Sequence, residues 1–130
     1  MFFPPEQYQL LDFGEGRCLE RFGSYVLNRR YPSVDGTRKG NVELWKDVDA
    51  IFLIDKVDRR VNPVGRGTWK PVLSPLPESW TITSGQLVFE LKFTPFGHIG
   101  IFPEHAVNWE TITNLLMLRS GAKVLNLFGY

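Results

Sequence analysis

The stretch FTPFGHIGIFPEHAVNW, from Phe93 to Trp109, gathers the residue types of this chain that do chemistry. It holds both histidines, His98 and His105, beside Glu104, interleaved with Gly97, Gly100, Phe96 and Phe102. An imidazole titrates near neutrality and can act as general acid or base. Glycines let backbone approach a ligand closely, and phenylalanines supply an apolar wall. The other reading of each histidine is structural, a ring hydrogen-bonded at a turn. A metal centre would need both histidines and a carboxylate such as Glu104, because Cys18 is the only cysteine. The spacing of seven from His98 to His105 is no recognised ligand pattern, so no metal is expected.

Other signatures fail on their context. GEGRCLERFG, from Gly14 to Gly23, has the glycines of a phosphate loop but joins two hairpin strands and opens no helix. Neither a serine-centred elbow nor a Gly-Lys-Ser/Thr loop is present. Trp45, Trp69, Trp80 and Trp109 read as core or rim residues, with stacking on nucleobases as the alternative. Net charge is +1, but ten Lys/Arg against six Asp/Glu between Arg29 and Lys70 leave +4 there and −3 elsewhere. That surplus is either a phosphate-facing surface or a solvated loop of mixed charge. On the first reading the nucleic-acid contacts are Arg29, Arg30, Arg59, Arg60 and Arg66.

The elements that must position these residues are mostly strands. YQLLDFGEGRCLERFGSYVLNRRYP is a meander of short strands broken at Gly14–Gly16 and at Gly23-Ser24. DGTRKGN reads as a loop, and VELWKDVDAIFLIDK is ambiguous, since Leu44, Trp45 and Val48 allow one helical turn while residues 50–54 prefer a strand. VDRRVNPVGRGTWKPVLSPLPESW, rich in proline, reads as mostly irregular. GQLVFELKF puts Leu87, Phe89, Leu91 and Phe93 on one face, with Val88 the exception, and Trp80–Ile82 is its expected partner. PEHAVNWETITNLLMLRSG then reads as a helix over about 103–120. It has an early proline, Trp109, Ile112 and Leu116 on one stripe, Arg119 in its last turn and Gly121 as cap. A strand over 123–128 follows, an α-to-β step typical of a parallel sheet.

The composition, 43% apolar and 22% charged over 130 residues, is that of an ordinary globular domain. No apolar run reaches the ~18 residues of a membrane span. MFFPPEQYQL lacks the basic and apolar regions of a secretion signal, so the expected location is cytoplasmic.

Four segments, YQLLDFGEGRCLERFGSYVLNRRYP, LPESWTI, FELKFTPFGHIGIFPEHAVNW and KVLNLFGY, in that order, resemble a bacterial family of class I S-adenosylmethionine-dependent methyltransferases. These are relatives of the enzymes that methylate cytosines in large-subunit ribosomal RNA. The resemblance implies an α+β chain. A small, mostly antiparallel β domain, barrel-like or meander, over 1–100 would precede the truncated start of a Rossmann-like methyltransferase domain over 101–130. VLNLFGY resembles that domain's first strand, which would place Asn126, Phe128 and Gly129 at the cofactor's edge. The family's FGHxGxFPEQ segment would bring Phe96, His98, Phe102 and Glu104 to the same pocket, with His105 standing where the family has Gln.

On this reading the chain is an N-terminal fragment of a methyltransferase that acts on RNA. It would have no complete site for S-adenosylmethionine and no activity alone. The alternatives are a non-catalytic RNA- or protein-binding module, or activity restored by a separately encoded remainder. The orphan helix stripe and strand imply self-association, most simply a dimer.

Overall fold

The computed structural model describes residues 3–55, 65–72 and 74–127. Among these residues the fold is α+β, with mostly antiparallel strands and one α-helix. Five strands form an open sheet in chain order: β1 (Tyr8–Gly14), β2 (Arg17–Phe22), β3 (Tyr25–Arg30), β4 (Ala50–Ile54) and β5 (Gly67–Pro71). A separate hairpin pairs β6 (Trp80–Ser84) with β7 (Leu87–Leu91). Of the barrel-like and meander alternatives, the structure takes the open form, since β1 and β5 stand at opposite edges of the sheet.

Local chemistry sets the hairpins. Gly14 pairs with Arg17, leaving Glu15-Gly16 as a two-residue turn with φ of 53° and 72°. Positive φ at both central residues is the type I′ geometry that matches strand twist. Gly23 and Gly85, with φ of 61° and 59°, open the two other tight turns. In β1 the register shifts between Leu10 and Asp12, a bulge that increases local twist.

The step from β3 to β4 is parallel and short, pairing Leu27 with Ala50 and Asn28 with Ile51. Arg17 reinforces it. Its guanidinium bonds the Asn28 side chain, the Asn28 carbonyl at 3.0 Å and the Phe52 carbonyl at 2.8 Å. The crossover holds two 3₁₀ turns, Pro32–Val34 and Val42–Lys46. The ambiguous VELWKDVDAIFLIDK thus contains both expected elements, a helical turn and then a strand.

Strand β5 lies in the stretch expected to be irregular. Its pairing with β4 is long-range, and Trp69 fits between Phe52 and Phe93, with ring centroids at 5.4 and 4.9 Å. Neither contact leaves a local signature. The hairpin β6–β7 runs further than its expected Trp80–Ile82 strand. Leu91 is buried and Phe89 half-buried on the expected face, while Leu87 at the turn stays exposed. The core joins both sheets through Phe22, Leu27, Ala50, Ile82, Leu91, Ile99 and Ile101, rimmed by aromatic rings.

The helix expected over 103–120 divides. A 3₁₀ turn covers Pro103–His105, and the α-helix, α1, runs over Ala106–Met117. The strand expected over 123–128 is not formed in its described part, since residues 123–127 carry no strand assignment. A strand exists only through hydrogen bonds to a neighbouring strand, and the described strands pair only among themselves. Phe128 and Gly129 lie outside the described residues. No described helix is long and apolar enough to cross a membrane.

Candidate functional site

A cleft of about 470 Å³ opens between strands β1 to β3 and the 96–104 loop. Its rim carries Phe96, His98, Phe102 and Glu104 from the loop and Arg30 and Tyr31 from the end of β3. Its floor includes Tyr8, Cys18, Glu20 and Arg29. Two sets of residues nominated for different reasons, the aromatic loop and the arginines of β3, thus meet at one place.

The loop is held by backbone features. Lys92 N–H donates to the Ile99 carbonyl at 3.1 Å, and both the backbone N–H and the hydroxyl of Thr94 donate to the His98 carbonyl. Gly97 has φ of 77°, and a Cβ there would come within 2.9 Å of the Phe52 ring. Only glycine lets the loop sit this low over β4. His98 therefore anchors the turn by its carbonyl, while its ring faces Phe102 at 5.4 Å. Phe102 also packs against His105 at 6.1 Å, and the His105 Nδ1 pairs with the Asn108 amide at 3.2 Å. His105 is exposed and is not among the residues that line the cleft.

The floor is a buried polar cluster built by strand alternation. Cys18 and Glu20, two apart on β2, share a face, and Arg29 on β3 pairs directly with Cys18. Arg29 Nε and Nη2 donate to Glu20 Oε2 at 2.7 and 2.5 Å, and the Cys18 thiol donates to the same oxygen at 3.1 Å. The Tyr8 hydroxyl donates to Glu20 Oε1 at 3.0 Å. Arg29 also lies over the Phe22 ring at 5.5 Å. Burial, reinforced by the Glu20 charge, pushes the Cys18 thiol up to about 12. The same causes hold the Tyr8 phenol well above its ordinary value. Burial works against the Arg29 charge, yet Glu20 with Cys18 and Tyr8 outweighs it, and the guanidinium pKa is raised. Cys18 is a proton donor at neutral pH and not a nucleophile.

The nominated residues therefore separate. Phe96, His98, Phe102 and Glu104 converge on the cleft, and so do Arg29 and Arg30. The Arg29 charge is compensated by Glu20, whereas Arg30 is exposed and forms no ion pair among the described residues. Arg66 lies over the Phe96 ring at 5.6 Å. Asn126 is not among the cleft-lining residues. Arg59, Arg60, Phe128 and Gly129 fall outside the described residues. Tyr8, Cys18, Glu20 and Tyr31 were not anticipated. The alternation of Cys18, Glu20 and Phe22 along one strand was the available signal.

This open sheet with its hairpin and aromatic loop is similar in fold and sequence to part of an S-adenosylmethionine-dependent methyltransferase. That protein is the SAM-dependent methyltransferase from Agrobacterium tumefaciens, whose crystal structure matches with a TM-score of 0.82 and 34% identity over 95% of this chain. The chain spans 37% of the length of that protein. No protein-family profile matches the chain, and no curated protein matches it.

In open α/β sheets a nucleotide cofactor binds beyond the carboxyl ends of parallel strands. Among the described residues such pairing is limited. Parallel pairing is confined to β3 and β4, and residues 123–127 join no sheet. Among the described residues the cleft supplies one aromatic wall.

Proposed function

We propose that this chain is the acceptor-side segment of an S-adenosylmethionine-dependent methyltransferase whose methyl acceptor is RNA, and that alone it neither binds the cofactor nor methylates. The observation that carries this reading is the single cleft shared by Phe96, His98, Phe102 and Glu104 with Arg30. The likeness to the Agrobacterium enzyme supports the class, and the basic surplus between Arg29 and Lys70 supports the acceptor. In this reading residues 1–100 form the β-rich unit and residues 101–130 open the catalytic domain. The aromatic loop then forms one edge of the cofactor pocket in the whole enzyme, and the segment carrying Asn126, Phe128 and Gly129 forms another. His105, where the family has Gln, marks relaxed constraint at the cofactor contact. The protein is cytoplasmic and self-associates through the apolar stripe of α1 and the segment over 123–128.

Calorimetric titration of S-adenosylmethionine into the chain tests the cofactor half. The expected result is no saturable heat and no shift in melting temperature. Saturable micromolar binding would instead mean that the chain assembles its own pocket. Binding of single-stranded RNA tests the other half. Affinity should fall steeply with salt, with a slope that reports the phosphates neutralised. Absence of binding at low salt removes RNA as the acceptor.

A further inference from the structure

We infer that the cleft receives one unstacked nucleobase of a single-stranded RNA, stacked on the exposed rings of its rim while Arg30 takes a neighbouring phosphate. The inference rests on the RNA reading above, assigns the place where the acceptor base sits, and gives the Phe96 and Phe102 rings to that base, so that the loop borders acceptor and cofactor together in the whole enzyme.

Exposure supplies the first argument. Phe96, Phe102 and Tyr31 remain 43%, 48% and 49% exposed at the rim of one cleft. Most other large rings of the β unit are packed against each other, as Phe52, Trp69, Phe93 and Trp80 are, while Phe13 on β1 is 42% exposed away from the cleft lining. Rings held open around a concavity form a stacking platform, and every base has a π-face to offer. The rim rings are also braced. Arg66 lies over Phe96, and His98 packs against Phe102. These contacts restrain the rings before a ligand arrives, which lowers the entropy lost on binding, and Arg66 leaves one face of Phe96 for a base.

Charge supplies the second argument. The Glu20–Arg29 pair neutralises the floor, so a neutral planar group meets no uncompensated charge on entry. At the rim, Arg30 has no ion pair among the described residues and is exposed. The mouth carries Arg30 and the Glu104 carboxylate, so a base enters past a neutral floor and its phosphate finds a cation at the rim, on the Arg30 side. About 470 Å³ lies within the range of ligand pockets. Single-stranded RNA is recognised mainly through splayed bases stacked on aromatic side chains.

The test uses the full chain and a short single-stranded RNA carrying one central 2-aminopurine, titrated at low salt. The expected result is quenching of the 2-aminopurine emission at saturation. Phe96→Ala and Phe102→Ala should each weaken binding about tenfold and reduce the quench. Phe102→Leu, which keeps apolar bulk without a π-face, should behave like Phe102→Ala. Arg30→Gln should lower the salt slope by about one without altering the quench. Circular dichroism confirms that each variant is folded. RNA bound without quenching, at an affinity the phenylalanine variants do not change, would overturn the cleft assignment and leave RNA binding intact. No binding by the parent chain would overturn both.

Discussion

In the β unit, Phe22, Leu27, Ile82, Leu91 and Ile99 are shut away from solvent. Along and beyond α1, Ile112, Leu115, Met117, Leu118 and Leu125 are open to it. Both regions are rich in apolar residues, so apolar content alone does not build a core. What differs is the neighbour. Each strand of the β unit finds a partner within the chain, and the aromatic rims of the two sheets interlock. The helix touches the β unit chiefly through Trp109, whose ring stacks on Phe89 at 5.3 Å and meets Phe3 at 6.1 Å. The contrast also explains why α1 forms and the following strand does not. A helix satisfies its backbone hydrogen bonds internally, whereas a strand must satisfy them across a sheet.

The largest effect should come from the ordered side of this comparison. Glu20→Ala leaves the buried Arg29 guanidinium without its counter-ion and the Tyr8 hydroxyl without its acceptor. Removing one member of a buried pair typically costs about 3–5 kcal/mol, so urea denaturation should show the midpoint collapse. A loss below about 1 kcal/mol would place the pair in the class of exposed ion pairs. Arg29 would then reach water, and the floor of the cleft would not be neutral.

A smaller effect is expected where a loop is tied onto the sheet. The Asp12 carboxylate accepts from the backbone N–H of Phe13, Gly40 and Asn41 and from Trp45 Nε1, between 2.7 and 3.0 Å. Burial works against that charge, but the four donors outweigh it and hold the carboxyl below its ordinary range. A carboxyl lowered on folding stabilises the protein above its unfolded pKa of about 3.9. That contribution is lost as pH falls through the lower folded value. Only below about pH 3.9, as pH falls through that lowered value, should the Trp45 indole lose its charged acceptor and shift its emission, and Asp12→Ala should show the shifted emission at neutral pH. Acid-independent emission in the parent chain would mean that the loop is held by other contacts, such as Lys39 over the Trp45 ring at 4.5 Å.

Legibility in the sequence follows the same division between local and distant causes. The hairpins could be read because Gly16, Gly23 and Gly85 meet backbone demands that are complete within a few residues. The aromatic loop could be read because Phe96, His98, Phe102 and Glu104 are close in the chain as well as in space. The strand Gly67–Pro71 could not, since β4 and the Phe52–Trp69–Phe93 stack define it from outside. The Glu20 cluster was hidden for the same reason. Its members Tyr8, Cys18 and Arg29 come from three strands, and only their register brings them together. Residues 123–127 show the converse. Their pattern suits a strand, but the partner that would make them one is not among the described elements.

The smallest expected effect tests the open side of the comparison. Leu115 is 58% exposed on α1, and substitutions at exposed sites usually change stability by no more than about 0.5 kcal/mol. Leu115→Ser should therefore leave the unfolding midpoint of the dilute chain almost unchanged, apart from a few tenths of a kcal/mol of helix propensity. Self-association changes the expectation in a way that can be separated. If a second copy covers the stripe, the cost should appear only as concentration rises, because mass action ties the midpoint to assembly. Sedimentation of the parent chain should then show a dimer that Leu115→Ser dissociates. A large cost that does not vary with concentration fits neither case. It would mean that the helix packs back onto its own β unit, and the contrast between the two regions would disappear.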